Sequence, residues 1–169
     1  MKRLVLGLVT LAFSVVGLSA AGLSAKFTDN IWNQKEVPKS EVCSNYNTKP
    51  GSTPSITLDN IPANATAIVL AFSDETFKGM SDGGHGIISY KLDKNTAHVV
   101  IPSIQGETFD LPARFSIVTK HRGGKYGKTE GAYLAPCSGG KGNTYSVLIK
   151  AVDHEGKTLS STTLKLGIF

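Results

Sequence analysis

The chain is poor in the residue types that announce a mechanism. It has two cysteines, Cys43 and Cys137, and no Cys-x-x-Cys, which removes the usual redox motif. No histidine stands at ligand spacing from either cysteine, so a structural metal site has nothing to build on. Charged residues make up only 18%, and no long run of one sign exists to serve as a nucleic-acid-binding tail. Beyond the first residues no apolar stretch approaches the roughly 20 residues needed to span a bilayer, and no segment keeps a helical period. Ser138 has no Gly-x-Ser-x-Gly elbow around it. Asp74 and Glu75 are adjacent, so on a strand they would point to opposite faces, a poor start for a two-carboxylate mechanism. The sequence is therefore read as a non-enzyme with no cofactor and no metal. Internal repeats and low-complexity tracts are also missing.

What is present begins with a leader. Lys2 and Arg3 precede an uncharged run from Leu4 to Val16, and small residues follow, ending in Ser19-Ala20-Ala21. That order is a secretory signal peptide cut after Ala21, with Ala25 as the second choice. The expected organisation is a leader over 1–21 and one domain over 22–169, in the periplasm or secreted. Export makes a Cys43–Cys137 disulfide the default for an even pair. The net charge of +5 falls to +3 once Lys2 and Arg3 are removed. That balance does not suit nucleic-acid binding, but it is compatible with weak attraction to anionic ligands or phospholipid head groups at a membrane surface. The densest basic group, Lys120, His121, Arg122, Lys125 and Lys128, reads as a solvated loop.

Eighteen glycines and seven prolines break the domain into short extended segments. Strands are expected over Ser55–Leu58, Ala67–Phe72, Gly86–Leu92, Ala97–Ile101, Phe109–Val118, Tyr145–Val152 and Thr158–Leu166. The continuous apolar run Ala67–Phe72 predicts a central strand covered on both faces. Lys26–Tyr46 reads as irregular, anchored by Phe27, Trp32 and Val37. Seven or eight strands with frequent turns predict an all-β sandwich or barrel.

The stretch Gly131–Tyr145 organises the rest. Gly139, Gly140 and Gly142 allow positive φ, and successive N–H groups in such a loop can hold an anion; the plainer reading is a linker between strands. His85, flanked by Gly84 and Gly86, is read as an accessible imidazole with room for a ligand to approach the backbone. His98 lies inside a strand and receives no role. His121 and His154 are read as exposed loop residues.

Several stretches together resemble the phosphatidylethanolamine-binding protein family, also called Raf kinase inhibitor-like, and its bacterial YbhB/YbcL-type branch. They are Phe27…Trp32…Val37-Pro38, Val42-Cys43-Ser44-Asn45-Tyr46-Asn47, Ala67–Glu75, Gly84-His85-Gly86-Ile87-Ile88, and Gly131-Ala132-Tyr133-Leu134-Ala135-Pro136-Cys137 with Tyr145 and Ala151-Val152-Asp153. The resemblance covers nearly all of 22–169 in order. It implies a β-sandwich with Greek-key-type connections and a pocket for a phosphate or phospholipid head group. It also implies that His85 is the pocket histidine, that Asp74, or Ser73 before it, is the pocket aspartate, and that Pro136 and Tyr145 line the wall. The departures are specific. Asn143 stands where the family has a second pocket histidine, Gly84 and Gly86 replace bulky neighbours, and Ser138-Gly139 replaces a double proline. The family's C-terminal helix has no counterpart before Phe169. The expected function is binding of a small anionic ligand through His85 and the Gly139–Asn143 loop. The alternative is a protein-interaction or inhibitor module with a vestigial pocket.

Overall fold

The computed structural model describes residues 22–169; the leader 1–21 and its cut after Ala21 lie outside the described residues. Eight strands follow in order: β1 Ser24–Phe27, β2 Ile56–Asp59, β3 Ala67–Asp74, β4 Ile87–Lys91, β5 His98–Ile101, β6 Phe115–Thr119, β7 Thr144–Val152 and β8 Thr158–Ile168. They form a three-stranded sheet, β1-β2-β5, and a five-stranded sheet, β6-β4-β3-β7-β8. All the pairings are antiparallel. Only short 3₁₀ turns, at Lys39–Glu41, Lys78–Met80 and Gly123–Tyr126, interrupt the strands and loops. Among the described residues no helix is long and apolar enough to cross a membrane. The all-β expectation therefore holds.

Period-2 patterning explains the larger sheet. On β3, Ile68, Leu70, Phe72 and Asp74 are buried while Ala67, Val69, Ala71 and Ser73 alternate with them half-buried. On β7, Tyr145, Val147, Ile149 and Ala151 supply the matching inward row. Successive side chains leave a strand on opposite faces, so each strand sends one row into the core. Ile56, Leu58 and Ile101 of the smaller sheet join Leu70, Phe72, Ile88 and Ile149 of the larger in one contiguous apolar cluster. The strand Ala67–Phe72 is central, as its sequence predicts, but it is fully buried on one face only. The alternation continues two residues further, to Asp74, and that extension carries a carboxyl group to the inward face.

Two other expectations are corrected. β1 is not among the expected strands, and its second half, Lys26 and Phe27, falls in the stretch read as irregular; it pairs Ala25 with Leu58 and Phe27 with Ile56. The predicted strand Phe109–Val118 starts only at Phe115. Pro112 lacks the N–H a ladder needs, and Arg114 sits at φ 75°, so the chain turns before it can pair.

Cys43 and Cys137 are disulfide-bonded across 94 residues. The Cys43 N–H also donates to the Pro136 carbonyl at 3.0 Å. The bridge joins the segment before β2 to the loop before β7. Closing a loop of that length constrains the unfolded chain strongly. Cys43→Ala is expected to cost about 2–5 kcal/mol, read as a lowered urea midpoint. Wild type in reductant should fall by a similar amount, and free labelling of both thiols in native, unreduced protein would rule the bond out.

Candidate functional site

Three backbone elements end at one place. Asp74 closes the inward row of β3, directly across the ladder from Tyr145 at the start of β7. His85 precedes β4, and its N–H donates to the Phe72 carbonyl at 3.0 Å. Its imidazole meets the Tyr145 ring edge-on, 5.3 Å between centroids. Together with Asn143 these residues line a cavity of about 480 Å³. Asp74, His85 and Tyr145 are buried at its floor. Tyr46, Phe77 and Tyr126 stand exposed at its mouth.

The floor is wired by hydrogen bonds. Asp74 Oδ1 accepts the N–H groups of Thr76 and Phe77, each at 2.9 Å. Its Oδ2 accepts Asn143 Nδ2 at 2.6 Å, so Asn143 spends an amide hydrogen on the carboxylate. Tyr145 Oη accepts the Cys137 N–H at 3.2 Å. Burial pushes the Tyr145 hydroxyl up to about 12, opposed by a hydrogen bond with Ser138 and assisted by the Asp74 carboxylate beside it. It therefore stays a neutral O–H at any working pH.

His85 Nδ1 lies 2.7 Å from the Leu134 carbonyl oxygen. A carbonyl can only accept, so Nδ1 carries the proton. In the neutral ring Nε2 is then a bare acceptor. Burial pulls the His85 pKa down to about 4, despite the opposing Leu134 carbonyl and Asp74, because desolvation disfavours the charged ring. The expectation of an accessible histidine gives way to a buried neutral one. Its flanking glycines have a different purpose from the one inferred. A Cβ at Gly86 would overlap the Ala132 carbonyl, and one at Gly84 would overlap the Met80 backbone. Both glycines let neighbouring chain close over the ring.

The loop after Cys137 is also reassigned. Gly139, Gly140 and Gly142 do take positive φ, at 73°, 75° and 84°. The N–H groups of Gly142 and Asn143, however, donate to the Phe169 carbonyl at 3.0 and 2.9 Å, and Ser138 Oγ donates to the same oxygen at 2.5 Å. Those donors hold the chain itself. Gly139 packs on Tyr46, and neither it nor Gly140 lines the cavity. Ser73 and Pro136 lie outside it as well, bordering a narrow gap behind His85 and Tyr145. The Ser73 hydroxyl accepts the Gly83 N–H at 2.9 Å. Of the eight candidates, the cavity gathers His85, Asp74, Asn143 and Tyr145.

Residues not anticipated complete the mouth. Phe77 and Tyr126 form an edge-on pair with centroids 5.2 Å apart. Lys128 Nζ stands 5.5 Å from the Tyr46 ring centroid, a cation–π approach, and Lys141 is exposed nearby. The basic cluster is thereby divided. Lys120 pairs with Glu130 at 2.8 Å, Arg122 donates to the Ser81 carbonyl, and Lys128 reaches the cavity. His121, read as exposed, is buried, and its Nδ1 accepts the Gly123 N–H at 3.0 Å. Burial lowers its pKa as well, the nearby Glu130 and Glu107 opposing.

These titrations set an acid limit on stability. The native pKa of His85 lies below its unfolded value of 6.5, so the unfolded chain binds more protons between the two. Stability is complete above pH 6.5 and is lost as pH falls toward 4. The shift corresponds to about 3 kcal/mol, and His121 adds in the same direction. Urea midpoints from pH 7 to 4 should fall by this order. NMR should keep His85 in the Nδ1–H form to below pH 5; a midpoint near 6.5 would contradict the buried neutral ring.

No family model matches the chain, and no curated protein matches it in sequence.

Proposed function

We propose that the chain is an exported, non-enzymatic binding protein of the phosphatidylethanolamine-binding type, a two-sheet sandwich that holds a small anionic ligand in the cavity around His85. The observation that carries this reading is the convergence of Asp74, His85, Asn143 and Tyr145 on one cavity with two lysines at its mouth. Ligand sites are concave, with a few convergent polar groups on an apolar wall; here Met80, Leu134 and the mouth aromatics supply that wall. Lys128 and Lys141 attract the negative charge, and Tyr145, its hydroxyl engaged with Asp74, closes the floor. Phosphate and phospholipid head groups are the ligand classes of this size and charge. Ser138 directs its hydroxyl at a backbone carbonyl rather than a base, which fits binding without catalysis.

Calorimetry with phosphate, phosphotyrosine and glycerophosphoethanolamine tests the site. His85→Ala should lose about 1–3 kcal/mol of affinity, while His98→Ala, in an exposed pair with Asp59, should bind as wild type. Equal binding by wild type and His85→Ala would remove the cavity from the function. It would favour a protein-interaction module, for which the exposed aromatics at the mouth are the specific observation.

Export rests on the leader and the disulfide. Leu23 is buried and its N–H donates to Ser160 Oγ at 3.3 Å, and β1 begins at Ser24. Cleavage after Ala21 keeps both features; cleavage after Ala25 removes Leu23 and half of β1. Mass spectrometry of the exported protein should therefore find Gly22 at the N-terminus. Intact Met1 in a cytoplasmic fraction would sink the proposal of export.

A further inference from the structure

The floor of the cavity accepts hydrogen bonds more than it donates them. His85 Nδ1–H is spent on the Leu134 carbonyl. No protein group among the described residues pairs with Nε2, and His85, 3% exposed, lines the cavity. The Asp74 carboxylate beside it has its N–H donors already in place and adds negative charge. Asn143 turns one amide hydrogen away from the ligand to reach that carboxylate. Among the described residues, the only cationic side chains lining the cavity are Lys128 and Lys141, at its mouth. His121 and Arg122 lie close enough to oppose a second charge on His85. A floor of acceptors beneath a cationic mouth suits a ligand whose charge points outward and whose inner end carries hydrogen.

We propose that this cavity selects anions that bring their own N–H or O–H to His85 Nε2 and rejects anions that carry none. The inference rests on the anion-binding reading and adds the ligand's chemical class: hydrogen phosphate, a phosphate monoester, or a phosphodiester with a primary ammonium. Sulfate is a poor ligand despite its size and charge. Facing Asp74 and a histidine lone pair, it has no hydrogen to place between them. A site built around a hydrogen bond discriminates strongly against an analogue that cannot make it, because its buried polar group is left unpaired.

The selection has a pH signature that belongs to the ligand. A monoester loses its second proton near pH 6. Above that pH the P–OH is gone, and affinity falls. His85 and Tyr145 keep their protonation states between pH 5 and 7.5 because of their burial, so they do not generate the slope.

The test needs only the wild-type protein. Calorimetry at pH 5 compares methyl phosphate with dimethyl phosphate. Both carry a single negative charge there, and only the monoester retains an O–H. Phosphate is compared with sulfate in the same series. The monoester and phosphate should bind at least about tenfold tighter than dimethyl phosphate and sulfate, and methyl phosphate should weaken between pH 5 and 7.5. The methyl diester of phosphoethanolamine against the methyl diester of phosphocholine, neither of which carries a hydroxyl, separates the two sources of the hydrogen. Binding of the former alone makes a head-group ammonium a competent donor; binding of neither confines the selection to P–OH. Four phosphate and sulfate ligands within threefold of one another, or equal binding of the two methyl diesters, would overturn the selection and leave anion binding standing. Failure of every ligand at about millimolar concentration would remove anion binding and this inference together. NMR supplies the independent readout: His85 Nε2 should remain unprotonated in the phosphate complex, and its protonation on binding would overturn the proposal.

Discussion

The site depends on a reciprocal pair of hydrogen bonds between His85 and Leu134. The Leu134 N–H donates to the His85 carbonyl at 2.9 Å, and the Leu134 carbonyl accepts the imidazole Nδ1–H. The first bond is backbone to backbone and joins the loop before β4 to the loop before β7. The second uses that junction to fix the tautomer and orientation of the ring. A side chain alone would lose rotamer freedom to be held this way. Here the loop supplies the acceptor at no extra cost, because Leu134 is already positioned by its own amide. The disulfide reinforces the arrangement three residues later at Cys137, and the Cys43 amide on the Pro136 carbonyl closes the remaining gap.

That junction also explains why an uncommon amount of polarity is buried at one end of the larger sheet. Asp74, His85 and Tyr145 would each be costly in an apolar core without partners. Each has a partner supplied by backbone: two amides for Asp74, one carbonyl for His85, one amide for Tyr145. Backbone groups of the loops satisfy most of the floor, and the Asn143 amide completes Asp74. A domain whose described residues form no long helix can do this, since its connections are many and their peptide groups are free of ladder bonds.

The architecture was largely legible in the sequence, because β3, β7 and β8 are long enough for alternation to show. β1 was not: Ser-Ala-Lys-Phe is four residues, and its pairing with β2 is settled by tertiary contact rather than local pattern. The convergence of Asp74, His85, Asn143 and Tyr145 was expected from the family resemblance, and the structure does place them on one cavity. Their chemistry was not legible. Whether His85 donates or accepts is decided by a carbonyl 49 residues away. Whether the Gly139–Asn143 loop offers its amides is decided by Phe169. Glycines beside a histidine permit either an open approach or a tight closure, and only the positions of Met80 and Ala132 choose between them. Lys128 and Lys141 were hidden for another reason: nothing in a surface lysine's neighbourhood in sequence says which cavity it overlooks.

The division between floor and mouth bears on how this protein could change over generations. Each floor residue is held by backbone groups of the loops around it, Asp74 by Thr76 and Phe77, Tyr145 by Cys137 and His85 by Leu134, and Gly84 and Gly86 leave no volume for a side chain, so a substitution there disturbs the fold as well as recognition. Tyr46, Phe77, Tyr126 and Lys141 stand exposed and can be exchanged at little thermodynamic risk. Under the binding proposed for this cavity, descendants of this chain are free to vary the size, hydrophobicity and charge of what they admit, while what the innermost atom of a guest must offer stays inherited.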